Sequence, residues 1–271
     1  MTTPDIEVGD PIGSYRVVGK HVDGVYRAVH ETSQRRVQII VGPAHPVPGL
    51  AHPGIAPIVD RGFLAKRCPW LATEVPEGVG LYDLIARRTL PAGEAATLIR
   101  HIADVLAFAH ERRIVHRALS LRAVVVASSA RDYPVCITDW GLPAAARGIY
   151  SAPEGSTGDG RADVYALGVI AFRAVTGAWP KVAVDDVPGV PAGLALLIAR
   201  MLAFVAAERP TAVEVCELAR ELAAAEMSQP YEEIALEPRP RTAKLRWTPA
   251  PMMAITSEQV DEAWGEIKTR E

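Results

Sequence analysis

The side chains that could do chemistry in this chain fall in two short segments. One of them reads His116-Arg117-Ala118-Leu119-Ser120-Leu121-Arg122-Ala123, so an imidazole and a guanidinium are followed by methyl groups at Ala118 and Ala123. A methyl group can neither accept a proton nor bind a metal ion. The other reads Asp139-Trp140-Gly141 and offers one carboxylate, which alone makes a poor site for the strongly hydrated Mg²⁺ ion. These residues therefore predict no metal site and no complete catalytic set.

The composition limits the class of protein. The 271 residues are 49% hydrophobic, which suffices for one large core or two small ones, and the net charge is −3. Without an overall basic field, we expect neither nucleic acid nor an anionic membrane as a main partner. The first residues lack the apolar run of a signal peptide, and the most apolar stretch, 194–207, is too short to span a bilayer. We expect a cytoplasmic protein without a membrane span, whose three separated cysteines are buried thiols.

The first part of the chain has the pattern of a small antiparallel sheet. Short β-rich runs separated by turn residues predict strands. The runs are 15–18, 25–29, 36–41, 58–64 and 70–75. Residues 42–49 carry three prolines and two glycines, so no ordinary helix is expected between the third and fourth strands.

The second part has helical periodicity. Leu98, Ile102, Val105, Leu106 and Ala109 form an amphipathic stripe. The predicted helices are 93–113, 163–176, 194–204 and 212–225, of which the second is apolar almost all round and thus central. A β-rich part before an α-rich part predicts an α+β fold of two lobes.

The predicted organisation has five parts. They are an N-terminal tail (1–11), a β-rich N-lobe (12–75), a helical C-lobe (76–226), a proline-rich linker (227–255) and a short amphipathic helix (256–271). Val260, Trp264 and Ile267 share one face of that helix, which we expect to need a groove, either on its own domain or on a partner.

Five motifs, in this order, resemble those of a bacterial Ser/Thr protein kinase domain over residues 12–225. His116-Arg117 begins a catalytic loop of the H-R-D-L-x-x-x-N type, and Asp139-Trp140-Gly141 resembles D-F-G. The remaining three are Ala152-Pro153-Glu154, which is A-P-E itself, Asp163-Val164-Tyr165-Ala166-Leu167-Gly168, and Glu208-Arg209-Pro210-Thr211.

The resemblance implies structural roles for the retained residues. Glu154 would pair with Arg209, Asp163 would accept backbone N–H groups of the catalytic loop, and His116 would pack beneath Trp140. The fold implied is the two-lobed kinase fold, with an antiparallel β lobe that lacks a normal switch helix.

The departures from the kinase pattern accumulate at the nucleotide. Ala118 replaces the base Asp, and Ala123 replaces the metal-binding Asn. Ile40 stands where the phosphate-binding Lys belongs, and Gln38 where a small residue would line the adenine. A doubtful nucleotide site remains at Thr73, Glu74 and Asp139, so no cofactor is expected beyond weakly bound ATP or Mg²⁺.

Three functions are compatible with these residues. The favoured one is a catalytically inactive kinase-fold protein, a pseudokinase, that binds an unidentified protein partner as a scaffold or allosteric regulator in bacterial signalling or assembly. The second is an atypical nucleotide-binding Ser/Thr kinase, or another transferase on this fold. The third is a small-ligand sensor whose cleft is lined by Ile40, Gln38, Thr73 and Val125.

Overall fold

A computed structural model describes residues 5–22, 24–42, 50–65, 68–127, 131–142, 148–155, 159–180 and 190–226 of the chain. Strands dominate the first part and helices the second. The elements are β1 (Pro11–Ile12), β2 (Tyr15–Val22), β3 (Val25–His30), β4 (Arg36–Val41), β5 (Ile58–Phe63), β6 (Pro69–Glu74), β7 (Gly78–Gly80), α1 (Leu81–Ile85), α2 (Ala92–Glu111), β8 (Val124–Ala127), β9 (Val135–Ile137), α3 (Gly160–Thr176), α4 (Ala192–Met201) and α5 (Ala212–Glu226).

The N-lobe is one antiparallel sheet in the order β1-β2-β3-β4-β6-β5. Its strands alternate between two faces, as a period of two requires. In β4, Val37, Ile39 and Val41 join an apolar core with residues of the neighbouring strands. Gln38 and Ile40 therefore lie on the opposite face, which looks into the cleft between the lobes.

The segment before β5 docks on the C-lobe instead of forming a helix. Within the described part of the β4–β5 connection, residues 50–57, the backbone is not helical. Ile55 forms a β-bridge with Ile137 of β9, and the Ile137 N–H donates to the Gly54 carbonyl at 2.8 Å. A Cβ on Gly54 would lie 2.5 Å from Val105, so only glycine allows this close approach. Residues 43–49 lie outside the described residues.

The C-lobe packs its helices around one apolar core that includes all of the predicted stripe on α2. α3 is central, and Asp159 caps its start by accepting the Arg161 N–H, while Gly177 ends it with a φ of +71°. α4 ends at Met201, not at residue 204 as predicted, because residues 203–205 lead into a 3₁₀ turn at Ala206–Glu208. The short elements β1, β7, β8, β9 and α1 were not predicted, since two to five residues show no clear periodicity.

The predicted boundary between residues 75 and 76 falls between β6 and β7. The linker 227–255 and the helix 256–271, with Val260, Trp264 and Ile267, lie outside the described residues. None of the described helices combines the length and apolar character that crossing a bilayer requires. All three cysteines are buried free thiols, as predicted, and burial raises the pKa of Cys136 to about 11.

A half-buried histidine on α2 makes the fold sensitive to acid. Burial, together with the charge of Arg100, lowers the pKa of His101 from 6.5 to about 4. Its ring lies edge-on against Tyr133, whose hydroxyl donates to Asp104 at 2.6 Å. The unfolded chain therefore binds a proton below pH 6.5 that the folded chain excludes until about pH 4.

We predict that the free energy of unfolding falls by about 2 kcal/mol between pH 7 and pH 5 through this group, an upper figure because the ring is only partly buried. Chemical denaturation of the wild type and of His101→Gln at both pH values measures it. The free energy of unfolding of the variant should depend less on pH than that of the wild type. The remaining dependence comes from His21 and His52, whose pKa values are also lowered by burial. An unchanged dependence in the variant would contradict the assignment.

Candidate functional site

The backbone of the 116–123 loop is held by the buried carboxylate of Asp163 at the start of α3. Asp163 Oδ2 accepts the His116 N–H and Oδ1 accepts the Arg117 N–H, both at 2.8 Å. The ring of His110 adds a third contact through Nε2, at 2.9 Å. Arg117 has a φ of +63°, a strained value that these bonds maintain. The carboxylate thus gives the loop a fixed shape.

His116 joins this loop to the segment that carries Asp139. Its Nδ1 accepts the Ala118 N–H at 3.2 Å, so Nε2 carries the proton and donates to the Thr138 carbonyl at 2.8 Å. The ring centroid lies 4.5 Å from that of Trp140, whose Nε1–H donates to the Ile137 carbonyl. His116 is 1% exposed, so this arrangement of hydrogen bonds makes it a structural residue.

Asp139 occupies a tight turn after β9, with a φ of +65°, and Gly141 follows with a φ of +81°. Its Oδ1 accepts a hydrogen bond of 2.6 Å from Nε2 of Gln38 on β4. Sequence reasoning placed Gln38 against the base of a nucleotide and did not foresee this contact. This hydrogen bond connects the two lobes. It also occupies the carboxylate of Asp139, which is the acidic side chain that the kinase-like motifs place in the cleft.

The deep part of the cleft is apolar. Ile40 is 2% exposed and packs with Val25, Leu71 and, from the C-lobe, Leu142. We call these four residues the cleft cluster. Ile40 therefore fills the position of the expected lysine with a packed side chain, and both Ile40 and Gln38 are engaged in contacts between the lobes. Two of the four side chains expected to line a small-ligand pocket are thus not available for it.

Cationic side chains gather nearer the opening of the cleft. Arg27 of β3 is the cross-strand partner of Gln38 and shares its face of the sheet. The charges of Arg27 and Arg122 act on His21 and lower its pKa, in addition to the larger effect of burial, while Asp139 opposes them. The guanidinium of Arg122 also lies 4.2 Å above the Tyr82 ring. We call Arg27 and Arg122 the cleft-mouth cations.

The loop keeps its shape around the two alanines. Ala123 is fully buried, and its carbonyl accepts hydrogen bonds from the backbone and side chain of Thr138. Neither Ala118 nor Ala123 supplies a ligand, and Asp139 is engaged by Gln38, so these residues do not fit a Mg²⁺ ion. Within the described ranges, no three His, Cys, Asp or Glu side chains come together in a way that could hold a metal ion.

The connection between the lobes leaves few groups for an adenine. Thr73 is 3% exposed, and its hydroxyl donates weakly to the Gln38 carbonyl at 3.5 Å. The Glu74 N–H donates to the Pro57 carbonyl at 3.0 Å, and Pro76 has no N–H. The backbone N–H groups of Val75 and Glu77 remain as candidate donors to a base.

Glu154 and Arg209 form a bidentate pair on the C-lobe. The Nη1–Oε1 distance is 2.6 Å, and the Nη2–Oε2 distance is 2.8 Å. The Arg209 side chain is completely buried and also donates to the carbonyls of Ala203, Phe204 and Arg161. Hydrogen bonding to Arg209 lowers the pKa of Glu154. This contact fixes the end of the 148–155 segment to the loop before α5.

Comparison with known proteins gives a consistent result. No protein-family model matches the chain. The serine/threonine-protein kinase PknI of Mycobacterium tuberculosis is 36% identical over 138 residues, which cover 48% of this chain and 23% of PknI. Pkn1 of Myxococcus xanthus, also named a serine/threonine-protein kinase, is 31% identical over 220 residues, or 65% of this chain and 32% of Pkn1. The chain thus spans a third or less of these relatives.

A crystal structure of a double mutant of the M. tuberculosis PknI kinase domain superimposes with a TM-score of 0.66 at 26% identity. The match covers 81% of this chain and all of that domain. This confirms the predicted α+β, two-lobed kinase-like fold.

The comparisons also correct the sequence analysis. The expectation that the chain is not an enzyme is wrong, because its relatives are named protein kinases and its structural neighbours are kinase domains, which point to an enzyme. The substitutions at Ile40, Ala118 and Ala123 change the cleft, but they are no sufficient ground for excluding catalysis. The chain is a homologue of the bacterial Ser/Thr protein kinases and has the fold of their kinase domain.

Proposed function

We propose that this chain is an atypical, nucleotide-dependent Ser/Thr kinase homologue that binds the phosphates of ATP through cationic side chains at new positions. The observation that carries the proposal is the position of the cleft-mouth cations: their charges and that of Asp139 all act on His21, and Arg27 lies beside Gln38, the residue that contacts Asp139. Arginine neutralises phosphate charge and donates to two oxygens at once, which compensates for a missing lysine. The names of the relatives support a transferase.

In the proposed reaction, the terminal phosphoryl group leaves ADP and joins the hydroxyl oxygen of a Ser or Thr acceptor. Kinase transition states are loose, so the step depends on orientation and charge neutralisation more than on a strong base. Asp139 is the carboxylate available to accept the hydroxyl proton once its bond to Gln38 is broken. Opening this interlobe bond is therefore part of the proposed cycle.

The second candidate function is protein binding as a scaffold or allosteric regulator, in the cytoplasm. The observation that favours it is the double connection between the lobes, made by the Gln38–Asp139 bond and the cleft cluster. Lobes held in one arrangement present a constant surface to a partner.

Removing the Gln38–Asp139 hydrogen bond should strengthen nucleotide binding, because in the proposed cycle this bond between the lobes must open first. A hydrogen bond to a charged group contributes about 1.5–3 kcal/mol, so we predict that Gln38→Ala raises ATP affinity about tenfold. Thermal shift with ATP, with and without Mg²⁺, measures affinity, and labelled γ-phosphate on a Ser/Thr substrate mixture measures transfer. Asp139→Asn is the matched control, because its amide oxygen still accepts from Gln38 while its charge is absent.

The outcomes separate the two candidates. Phosphoryl transfer that is abolished in Asp139→Asn supports the kinase proposal, as does tighter ATP binding in Gln38→Ala. If the wild type and Gln38→Ala show neither an ATP-dependent shift nor labelled product, the nucleotide-dependent function is rejected and protein binding becomes the stronger candidate.

A further inference from the structure

A second concave site lies on the N-lobe, at the end of the sheet where β3 ends and β4 begins. It encloses about 220 Å³. We call it the outer pocket, and its lining consists of Tyr15, His30, Ser33, Arg35, Arg36, Val37, Val59 and Glu74. Val37 of the pocket and Gln38 of the cleft are adjacent in β4 and thus on opposite faces. Arg36 shares the Gln38 face of β4, but Gln38, Asp139, the cleft cluster and the cleft-mouth cations do not line the outer pocket.

The outer pocket is rich in hydrogen-bond donors. The side chains of Arg35 and Arg36 form no hydrogen bond or salt bridge with a residue that the structure describes. Nδ1 of His30 accepts the Ser33 N–H at 3.2 Å, so the proton of a neutral ring lies on Nε2. The hydroxyl of Ser33 is a further donor. Two guanidinium groups beside an imidazole and a hydroxyl favour an anion with several acceptor oxygens.

The carboxylates near the outer pocket have partners of their own. Glu74 Oε1 lies 3.5 Å from Nη1 of Arg131, so its charge is largely balanced. Asp60 interacts with the Tyr15 hydroxyl and accepts the Arg61 N–H at 2.8 Å. Because Glu74 is paired with Arg131 and Asp60 is not part of the lining, Arg35 and Arg36 give the lining a net positive charge.

The floor of the outer pocket is apolar. The Tyr15 ring is 5% exposed and is held edge-on by His30, with ring centroids 5.1 Å apart. Val37, which is buried, and Val59, which is exposed, are the other apolar residues of the lining. A bound ligand therefore contacts apolar side chains in the pocket and hydrogen-bond donors at its rim. Free inorganic phosphate would use only the rim, whereas a phosphate carried on a short carbon chain would use both.

We propose that the outer pocket binds a phosphomonoester, with the phosphate on Arg35 and Arg36 and its carbon chain against Tyr15, Val37 and Val59. Arginine pairs with phosphate through two parallel N–H···O bonds, which gives both strength and orientation. The same chemistry is offered by a free phosphorylated metabolite and by a phosphorylated Ser or Thr side chain of a protein.

Calorimetric titration of the full chain tests the proposal with four probes. They are inorganic phosphate, free O-phosphoserine, a short uncharged peptide with one phosphoserine, and the same peptide unphosphorylated. We expect the phosphorylated probes to bind and the unphosphorylated peptide not to bind. A phosphopeptide that binds at least tenfold tighter than O-phosphoserine identifies a protein source, and equal affinities identify a small molecule.

Two variants locate the binding. Arg35→Gln/Arg36→Gln should weaken phosphoprobe binding at least tenfold, and Arg35→Lys/Arg36→Lys should recover only part of it because lysine lacks the two-pronged geometry. Arg61→Gln, which removes a neighbouring cation outside the pocket lining, is the matched control. A circular dichroism melt of each variant shows whether it is folded.

The proposal is overturned if no phosphorylated probe binds the wild type, or if Arg61→Gln reduces binding as much as the double variant does. It is also overturned if ATP competes with the phosphopeptide, since both would then occupy the cleft. ATP binding without phosphopeptide binding would reject this inference alone and leave the proposed function intact.

Discussion

Replacing Ile40 with lysine is expected to destabilise the protein instead of restoring an ordinary kinase cleft. The ammonium group would enter the cleft cluster among Val25, Leu71 and Leu142, and Asp139 is already bonded to Gln38. An uncompensated buried charge costs about 3–5 kcal/mol. Chemical denaturation of Ile40→Lys should therefore show a loss of this size, whereas the apolar control Ile40→Met should lose less than about 1.5 kcal/mol.

A double-mutant cycle identifies the cause. Gln38→Ala frees the Asp139 carboxylate, so it should offset part of the loss when combined with Ile40→Lys, giving a coupling of about 1 kcal/mol or more. Additive losses would show that Asp139 does not reach position 40. A fully stable Ile40→Lys single variant would show that the cleft cluster is not a packed, dry contact.

Removing the carboxylate of Glu154 is expected to cost about 3–5 kcal/mol of unfolding free energy. In Glu154→Ala, the Arg209 guanidinium keeps only its carbonyl partners. Because the Arg209 side chain is fully buried, water does not solvate its unpaired positive charge. Urea denaturation at pH 7 measures the change. The comparison is Glu94→Ala, which removes the carboxylate partner of Arg88, an arginine that is much more exposed than Arg209, and should cost at most about 1 kcal/mol.

The same pair predicts a pH dependence. Arg209 lowers the pKa of Glu154 below its usual 4.5 in the folded chain. The ionised carboxylate therefore contributes fully to the free energy of unfolding above pH 4.5, and this contribution is lost as the pH falls through the lower pKa of the folded state. Glu154→Ala should therefore be less acid-sensitive than the wild type. Equal stabilities of Glu154→Ala and Glu94→Ala at pH 7 would contradict the importance of the buried pair.

The sequence predicts well the features that repeat or that lie within one motif. The alternation of Val37, Ile39 and Val41 and the stripe on α2 identify core faces, because burial requires a fixed period. The pairing of Glu154 with Arg209 is what the resemblance to the kinase family implies, and the structure contains it. Elements of two to five residues, such as β1 and α1, lack enough positions to show any period.

Contacts between distant, individually ordinary residues could not be predicted. Gln38 is a polar residue in a strand, and nothing in its neighbours indicates that its amide meets Asp139, 101 positions away. Leu142 likewise gives no sign that it packs on Ile40. The outer pocket is assembled from five strand ends and a turn, so no single segment carries its signature.

The β-bridge between Ile55 and Ile137 has a mechanical consequence. Ile137 is bonded to the backbone of the segment that leads into β5, and Asp139 follows it by two residues. The position of Asp139 is thus fixed both by the segment that leads into β5 and by its own turn after β9. A ligand that tilts the sheet would therefore pull on Asp139 through covalent and hydrogen-bonded links.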